Sequence, residues 1–166
     1  MCERNNPDTV AEIMRRLSEG GAPCLLFGGW AEEAAGLCEP RRHEDIDLVL
    51  PAQSFRGLDH LLATEGDTFR EVPPKRFAHK RAFLFHGLLV EAILVQQSNG
   101  AIYTSFWGDV RFDWAKPLAE TCLLGGHRLP AVSRENLRRY RERHASTEPW
   151  RWRDPGSLVA LSPVDE

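Results

Sequence analysis

A chain of 166 residues is long enough to bury one sizeable core, and it reads as a single domain over residues 1–145 with an irregular tail over 146–166. A net charge of −3 argues against nucleic acid as the main partner, and the apolar runs are far too short to span a membrane. Cys2, Cys24, Cys38 and Cys122 are scattered, with no Cys-x-x-Cys pair, and the first residues lack a charged-then-apolar leader. That pattern argues against a zinc site or a disulfide frame and points to reduced thiols in a cytoplasmic protein.

In chain order, Asn6-Pro7 reads as a cap and first residue of a helix whose apolar side is Val10, Ile13, Met14 and Leu17, stopped at Gly20-Gly21. The apolar run Cys24 to Phe27 reads as a buried strand. Gly28-Gly29 follows it directly, and Ala31 to Leu37 favours helix. Such a turn has two readings. It is either a ligand-free link, or a place where bare backbone N–H groups and a helix start face a phosphate.

Arg41 to Leu50 holds the most informative stretch, Asp45-Ile46-Asp47 at the mouth of an apolar run. On a strand, residues two apart share a face, so both carboxylates aim at one spot while Ile46 and Leu48 point away. Paired anions are costly to bury without a cation, and hard oxygen ligands at that spacing suit Mg²⁺. Pro51 is then expected to open a second helix with Phe55, Leu58, Leu61 and Leu62 inward, ending near Gly66. Thr68 to Val72 reads as a short strand broken by Pro73-Pro74. Lys80–Phe85 and Leu88–Gln96 read as a hairpin turning at His86-Gly87.

Glu91 interrupts the second of these strands, which is otherwise almost wholly apolar. It either pairs with an arginine or sits on a solvated face, or it joins Asp45 and Asp47 as a third carboxylate, serving as metal ligand or base. Ile102–Phe106 and Val110–Trp114 are short aromatic segments whose state the pattern leaves open. Thr121–Leu124 and His127–Val132 flank Gly125-Gly126 as another hairpin. Ser133 caps a last helix with Leu137, Tyr140 and His144 inward and Arg134, Arg138 and Arg141 as an outward stripe, either solvated or in contact with phosphate. Trp150 and Trp152 in the tail are candidates to pin it to the body or to a second subunit.

Gly28-Gly29-Trp30, Glu33, Arg41, His43, Asp45, Ile46 and Asp47 together resemble the Gly-Gly-Trp…Asp…Arg-x-His-x-Asp-Ile-Asp pattern of the small bacterial antibiotic nucleotidyltransferases, relatives of DNA polymerase β. The likeness runs from the first helix to the last. Glu33 and Glu91 stand where that family usually has Asp, each one methylene longer. The resemblance implies an α+β nucleotidyltransferase fold, a mixed β-sheet with helices packed mainly on one face. It also implies a Mg²⁺-dependent enzyme with two ions, using ATP or another nucleoside triphosphate to modify a hydroxyl of a small molecule such as an aminoglycoside or lincosamide.

In that frame Asp45, Asp47 and Glu91 hold metal, Glu91 also acts as base, and Gly28, Gly29 and Arg41 face the triphosphate. His43 either joins them or hydrogen-bonds backbone at the strand entrance. Trp30 is read as a core or wall residue. Glu32, Glu33, Glu39 and Glu44 suit a cationic acceptor, offset by Arg41 and Arg42. A homodimer would close the open acceptor side. Two alternatives remain: transfer to protein or RNA, as in toxin–antitoxin systems, and a non-catalytic nucleotide-binding descendant.

Overall fold

The computed structural model describes residues 4–108 and 110–146, with side chains to Arg143. The tail after Ser146, with Trp150 and Trp152, and the side chain of His144 lie outside the described residues.

Helix α1 (Pro7–Glu19) starts as its sequence dictates. Asn6 Oδ1 accepts from the Thr9 N–H at 2.9 Å, and Pro7 occupies the first turn, where a missing N–H has no consequence. Val10, Ile13, Met14 and Leu17 form its buried stripe. β1 (Leu25–Phe27) follows, then α2 (Gly28–Ala34), whose first turn is the glycine pair itself, three residues earlier than Ala31.

β2 (Ile46–Pro51) runs on through Pro51, so the expected helix start there is wrong. Pro51 needs no N–H as the last residue of its strand, and the Ala52 N–H extends the ladder by donating to the Val95 carbonyl at 3.0 Å. Helix α3 therefore begins later, as Arg56–Thr64, with Leu58, Leu61 and Leu62 buried.

β3 (Phe69–Glu71), a 3₁₀ turn at Pro73–Lys75, β4 (Lys80–Phe85) and β5 (Leu88–Ser98) match the expected strand, break and hairpin. The two undecided aromatic segments are β6 (Ala101–Phe106) and β7 (Val110–Trp114), antiparallel partners. Their inward rings, Phe106, Phe112 and Trp114, pack on Tyr140, which is why the alternation there is aromatic. β8 (Ala119–Leu124), β9 (His127–Val132) and α4 (Arg134–Ser146) complete the chain.

The nine strands form a mixed sheet in the order β3-β4-β5-β2-β1-β9-β8, with β6 and β7 added beside β5. β2 lies at its centre, antiparallel to β1 and parallel to β5. α1 and α3 meet the face that carries Arg81 and Phe85. Arg16 of α1 stacks over Phe85, and Asp59 of α3 pairs with Arg81. On the other face, α4 reaches Phe27 through Tyr140. The chain is thus an α+β protein with a mixed sheet. None of its described helices is long and apolar enough to cross a membrane.

One ion pair on the helix-covered face has a large expected effect. Arg81 is buried and stacks on Phe55, and Asp59 binds it twice, at 2.7 and 3.1 Å. Burial alone would raise the Asp59 carboxyl, but the hydrogen bonds and charges of Arg81 and Arg76 outweigh it and hold the pKa below its usual value. Stability from this group is therefore complete above the ordinary carboxylate pKa of about 3.9 and is lost as pH falls through the lower folded value. Asp59→Ala strands a buried guanidinium and is expected to cost about 3 kcal/mol in urea unfolding at neutral pH, with a smaller deficit in acid.

Candidate active site

Strand register builds the site. β2 sits between β1 and β5, so Asp47 lies beside Phe27 on one side and Glu91 on the other. Asp45 precedes the first residue of β2 and points the same way as Asp47 by the two-residue pleat. Asp45, Asp47 and Glu91 each offer a carboxylate oxygen, all within 4.8 Å of one another. Asp45 and Asp47 are partly buried, and Glu91 is 9% exposed.

The electrostatic consequence is plain. Burial first, then the charges of Asp45 and Glu91, push the Asp47 carboxyl up to about 8, against a lowering by Lys80. Asp45 rises too, through burial and then Glu91. The Tyr140 phenol is raised by burial and by Asp47. Three convergent hard-oxygen anions, destabilised by one another, are the donor set that fits a divalent ion such as Mg²⁺.

The glycine pair adjoins these carboxylates. Gly28 has φ +62°, a left-handed conformation, and a Cβ there would fall on the Asp47 carboxylate. A Cβ on Gly29 would come within 2.6 Å of His43 Nδ1 and 3.0 Å of Arg41 Nη2. Bare backbone is thus required at both positions. Arg41 is exposed, with its guanidinium beside Gly29.

His43 is buried beneath Gly29, with Nε2 3.1 Å from Glu33 Oε1 and its ring tilted against Trp30 at 4.1 Å. Glu33 Oε1 also accepts from the Arg41 N–H at 2.9 Å. The ring therefore pairs with a carboxylate, not with backbone, and Trp30 is buried as a wall residue. Glu33 and Glu32 are both engaged, since Glu32 pairs with Arg141 at 3.1 Å. Arg134 donates to the Ala35 carbonyl, so two arginines of the expected outward stripe dock α4 onto α2.

Three groups at the site were not singled out from the sequence. The Asn5 amide donates to the carbonyls of His43 at 2.8 Å and Asp45 at 3.0 Å, while its oxygen accepts from Trp30 Nε1 at 2.8 Å. It thereby ties the Asp45 segment to α2, and nothing local in the sequence signals so distant a contact. Asn5→Ala is expected to lower unfolding free energy by about 2 kcal/mol, measured by urea denaturation, because two carbonyls and an indole N–H lose their partner. The other two groups are Lys80 and Lys75. Lys80 Nζ pairs with Glu91 Oε2, and Lys75 Nζ lies 3.8 Å from Oε1. The cations facing Glu91 are thus lysines, where an arginine was one expected partner. The hairpin register held the signal for Lys80, because a turn at His86-Gly87 sets Ala82 opposite Glu91 and Lys80 opposite Ile93.

No family model and no curated protein sequence matches the chain. Solved structures do. The lincosamide antibiotic adenylyltransferase LnuA, with lincomycin bound, superposes with a TM-score of 0.64 at 15% identity, covering 92% of this chain and 96% of its own. ANT(2″)-Ia in complex with adenylyl-2″-tobramycin gives 0.61 at 18% identity, over 93% and 83%. A Thermotoga maritima protein provisionally assigned as a nucleotidyltransferase gives 0.56 at 16%, over 83% and 84%. At such identities the likeness is one of fold, and it agrees with the resemblance read from Gly28 to Asp47: the chain carries the nucleotidyltransferase fold.

Proposed function

We propose that the chain is a Mg²⁺-dependent nucleotidyltransferase that moves a nucleoside monophosphate, AMP from ATP, to a hydroxyl of a small molecule of the aminoglycoside or lincosamide kind. The observation that carries this reading is the meeting of Asp45, Asp47 and Glu91 on neighbouring strands beside the obligatory glycine pair. Two structures of the same fold bear antibiotics, lincomycin in one and adenylyl-tobramycin in the other.

Asp45 and Asp47 would hold Mg²⁺, which neutralises charge on the triphosphate oxygens as the α-phosphorus is attacked. The chain's own groups do the rest. Gly28 and Gly29 let backbone N–H groups approach the phosphates, and Arg41 reaches them from beside Gly29. Glu91 accepts the proton of the acceptor hydroxyl as its oxygen bonds to the α-phosphorus. The bond from that phosphorus to the bridging oxygen breaks, and pyrophosphate carries the electrons away. Phe27 lies beside Asp47 in the sheet, with the Tyr140 ring packed edge-on against it.

The test is transfer of label from ATP labelled at its α-phosphate, across aminoglycosides, lincosamides and hydroxylated metabolites. Label in a small-molecule product is the expected result. Label in lysate protein or RNA would move the acceptor to a macromolecule. Nucleotide binding with label nowhere would mark a non-catalytic descendant.

A further inference from the structure

On the nucleotidyl-transfer reading above, we infer that the acceptor docks beyond Glu91, against Phe77, His79 and Trp107, and that it is a ring-bearing hydroxyl compound with no positive charge beside the reacting hydroxyl. The two sides of Asp47 differ. The glycine pair and Arg41 lie on its β1 side, and Glu91 lies on its β5 side. A triphosphate against the glycines leaves the acceptor to arrive from the side of Glu91, the proposed base. A run of rings borders that approach. Tyr140 stands edge-on to Phe27 at 4.9 Å and meets Phe106 at 6.1 Å, and Phe106 meets His79 at 5.5 Å. His79 lies 4.4 Å from Trp107 and 5.8 Å from Phe77. The Phe77 backbone bonds in turn to that of Lys80, whose ammonium pairs with Glu91. The run therefore starts beside Asp47 and ends beside Glu91.

Trp107 is the member of this run that packing alone does not explain. It sits on the β6–β7 tip with φ +56°, a left-handed backbone that strains a residue with a Cβ, and the exposed Gly108 follows it. Its backbone N–H reaches His79 Nδ1, but its indole N–H is buried without a hydrogen-bond partner among the described residues. A phenylalanine would offer similar ring contacts with no donor to leave unpaired. A strained turn that holds an unpaired donor beside the proposed base suits an acceptor oxygen, reached by a rotation of the ring at the tip. Charge narrows the class further. Lys75 Nζ lies 3.8 Å from Glu91 Oε1 and Lys80 pairs with Oε2, so two ammonium groups stand against one carboxylate where the hydroxyl must arrive. An acceptor ammonium there would be repelled. Of the four glutamates that suit a cationic acceptor by sequence, Glu32 is taken by Arg141 and Glu33 by His43 and the Arg41 N–H. Glu39 and Glu44 are exposed ahead of β2, where the charge of Glu44 acts on Asp45.

The experiment is isothermal calorimetry of phenyl β-D-glucoside, lincomycin and tobramycin on the full chain with Mg²⁺ and α,β-methylene-ATP. The glucoside is uncharged, lincomycin carries a single amine, and tobramycin is a polycation. At least one of the first two is expected to bind about tenfold or more tightly than tobramycin. Trp107→Phe is expected to lose about tenfold of that affinity, with binding of the ATP analogue unchanged and a thermal midpoint no lower than the parent's. Lys75→Glu is expected to move the preference toward tobramycin. Tobramycin bound as tightly as the other two overturns the inference, and so does binding of none of them. Unchanged acceptor affinity or a lowered midpoint in Trp107→Phe overturns it as well, as does an unmoved preference in a folded Lys75→Glu chain. The expected binding pattern without label transfer would uphold the acceptor site and contradict nucleotidyl transfer, so the two fail separately.

Discussion

Asp47→Asn is expected to abolish nucleotidyl transfer, by about a thousandfold or more, while the protein stays folded. Asp47 is the centre of the cluster, flanked in the sheet by Phe27 and Glu91 and two residues from Asp45. Its carboxylate is the one most penalised by burial and by its anionic neighbours. Asparagine keeps the shape and removes the charge, so repulsion with Asp45 and Glu91 falls and the proposed Mg²⁺ would lose a ligand. The expected pair of results is a thermal unfolding midpoint no lower than the parent's and pyrophosphate release at background. A lowered midpoint would mean that Asp47 holds the fold together, and the loss of activity would then carry no mechanistic weight.

Gly28→Ala is the second change with a large expected effect, and it acts on fold and chemistry together. The left-handed backbone at Gly28 strains any residue with a Cβ, by about 1–3 kcal/mol. The added methyl would also fall on the Asp47 carboxylate. Either β1 and α2 shift or Asp47 rotates away from Asp45. A displacement of that size at a proposed metal ligand is expected to slow turnover by about a hundredfold. Urea unfolding and kcat measured on the same preparation separate the two contributions, because a purely structural effect would be recovered in the folded fraction.

The parts of this site that were legible in the sequence are those set by short-range periodicity. Asp45 and Asp47 share a face because strands alternate, and the tight link from Phe27 into α2 needs glycine. The hairpin of β4 and β5 was equally plain from His86-Gly87. Pro51 is ambiguous in the sequence because proline opens helices and also ends strands, and only the neighbouring β5, which receives the Ala52 N–H, decides between the two. The pattern of β6 and β7 does not declare itself locally because their aromatic residues serve a cluster around Tyr140, a partner far along the chain. Glu91 is anomalous in an apolar strand by sequence alone, but its place beside Asp47 depends on β2 and β5 pairing in parallel, a long-range fact. Asn5, Lys75 and the docking of α4 on α2 through Arg134 and Arg141 are tertiary contacts without a local signature.

The most direct test of the central claim is pyrophosphate release from ATP with and without Mg²⁺, in the presence of the acceptor panel. The fold and the carboxylate cluster predict release that needs both Mg²⁺ and an acceptor, stops on chelation, and is absent in Asp47→Asn. Release that persists after chelation, or at the parent rate in Asp47→Asn, would contradict the account.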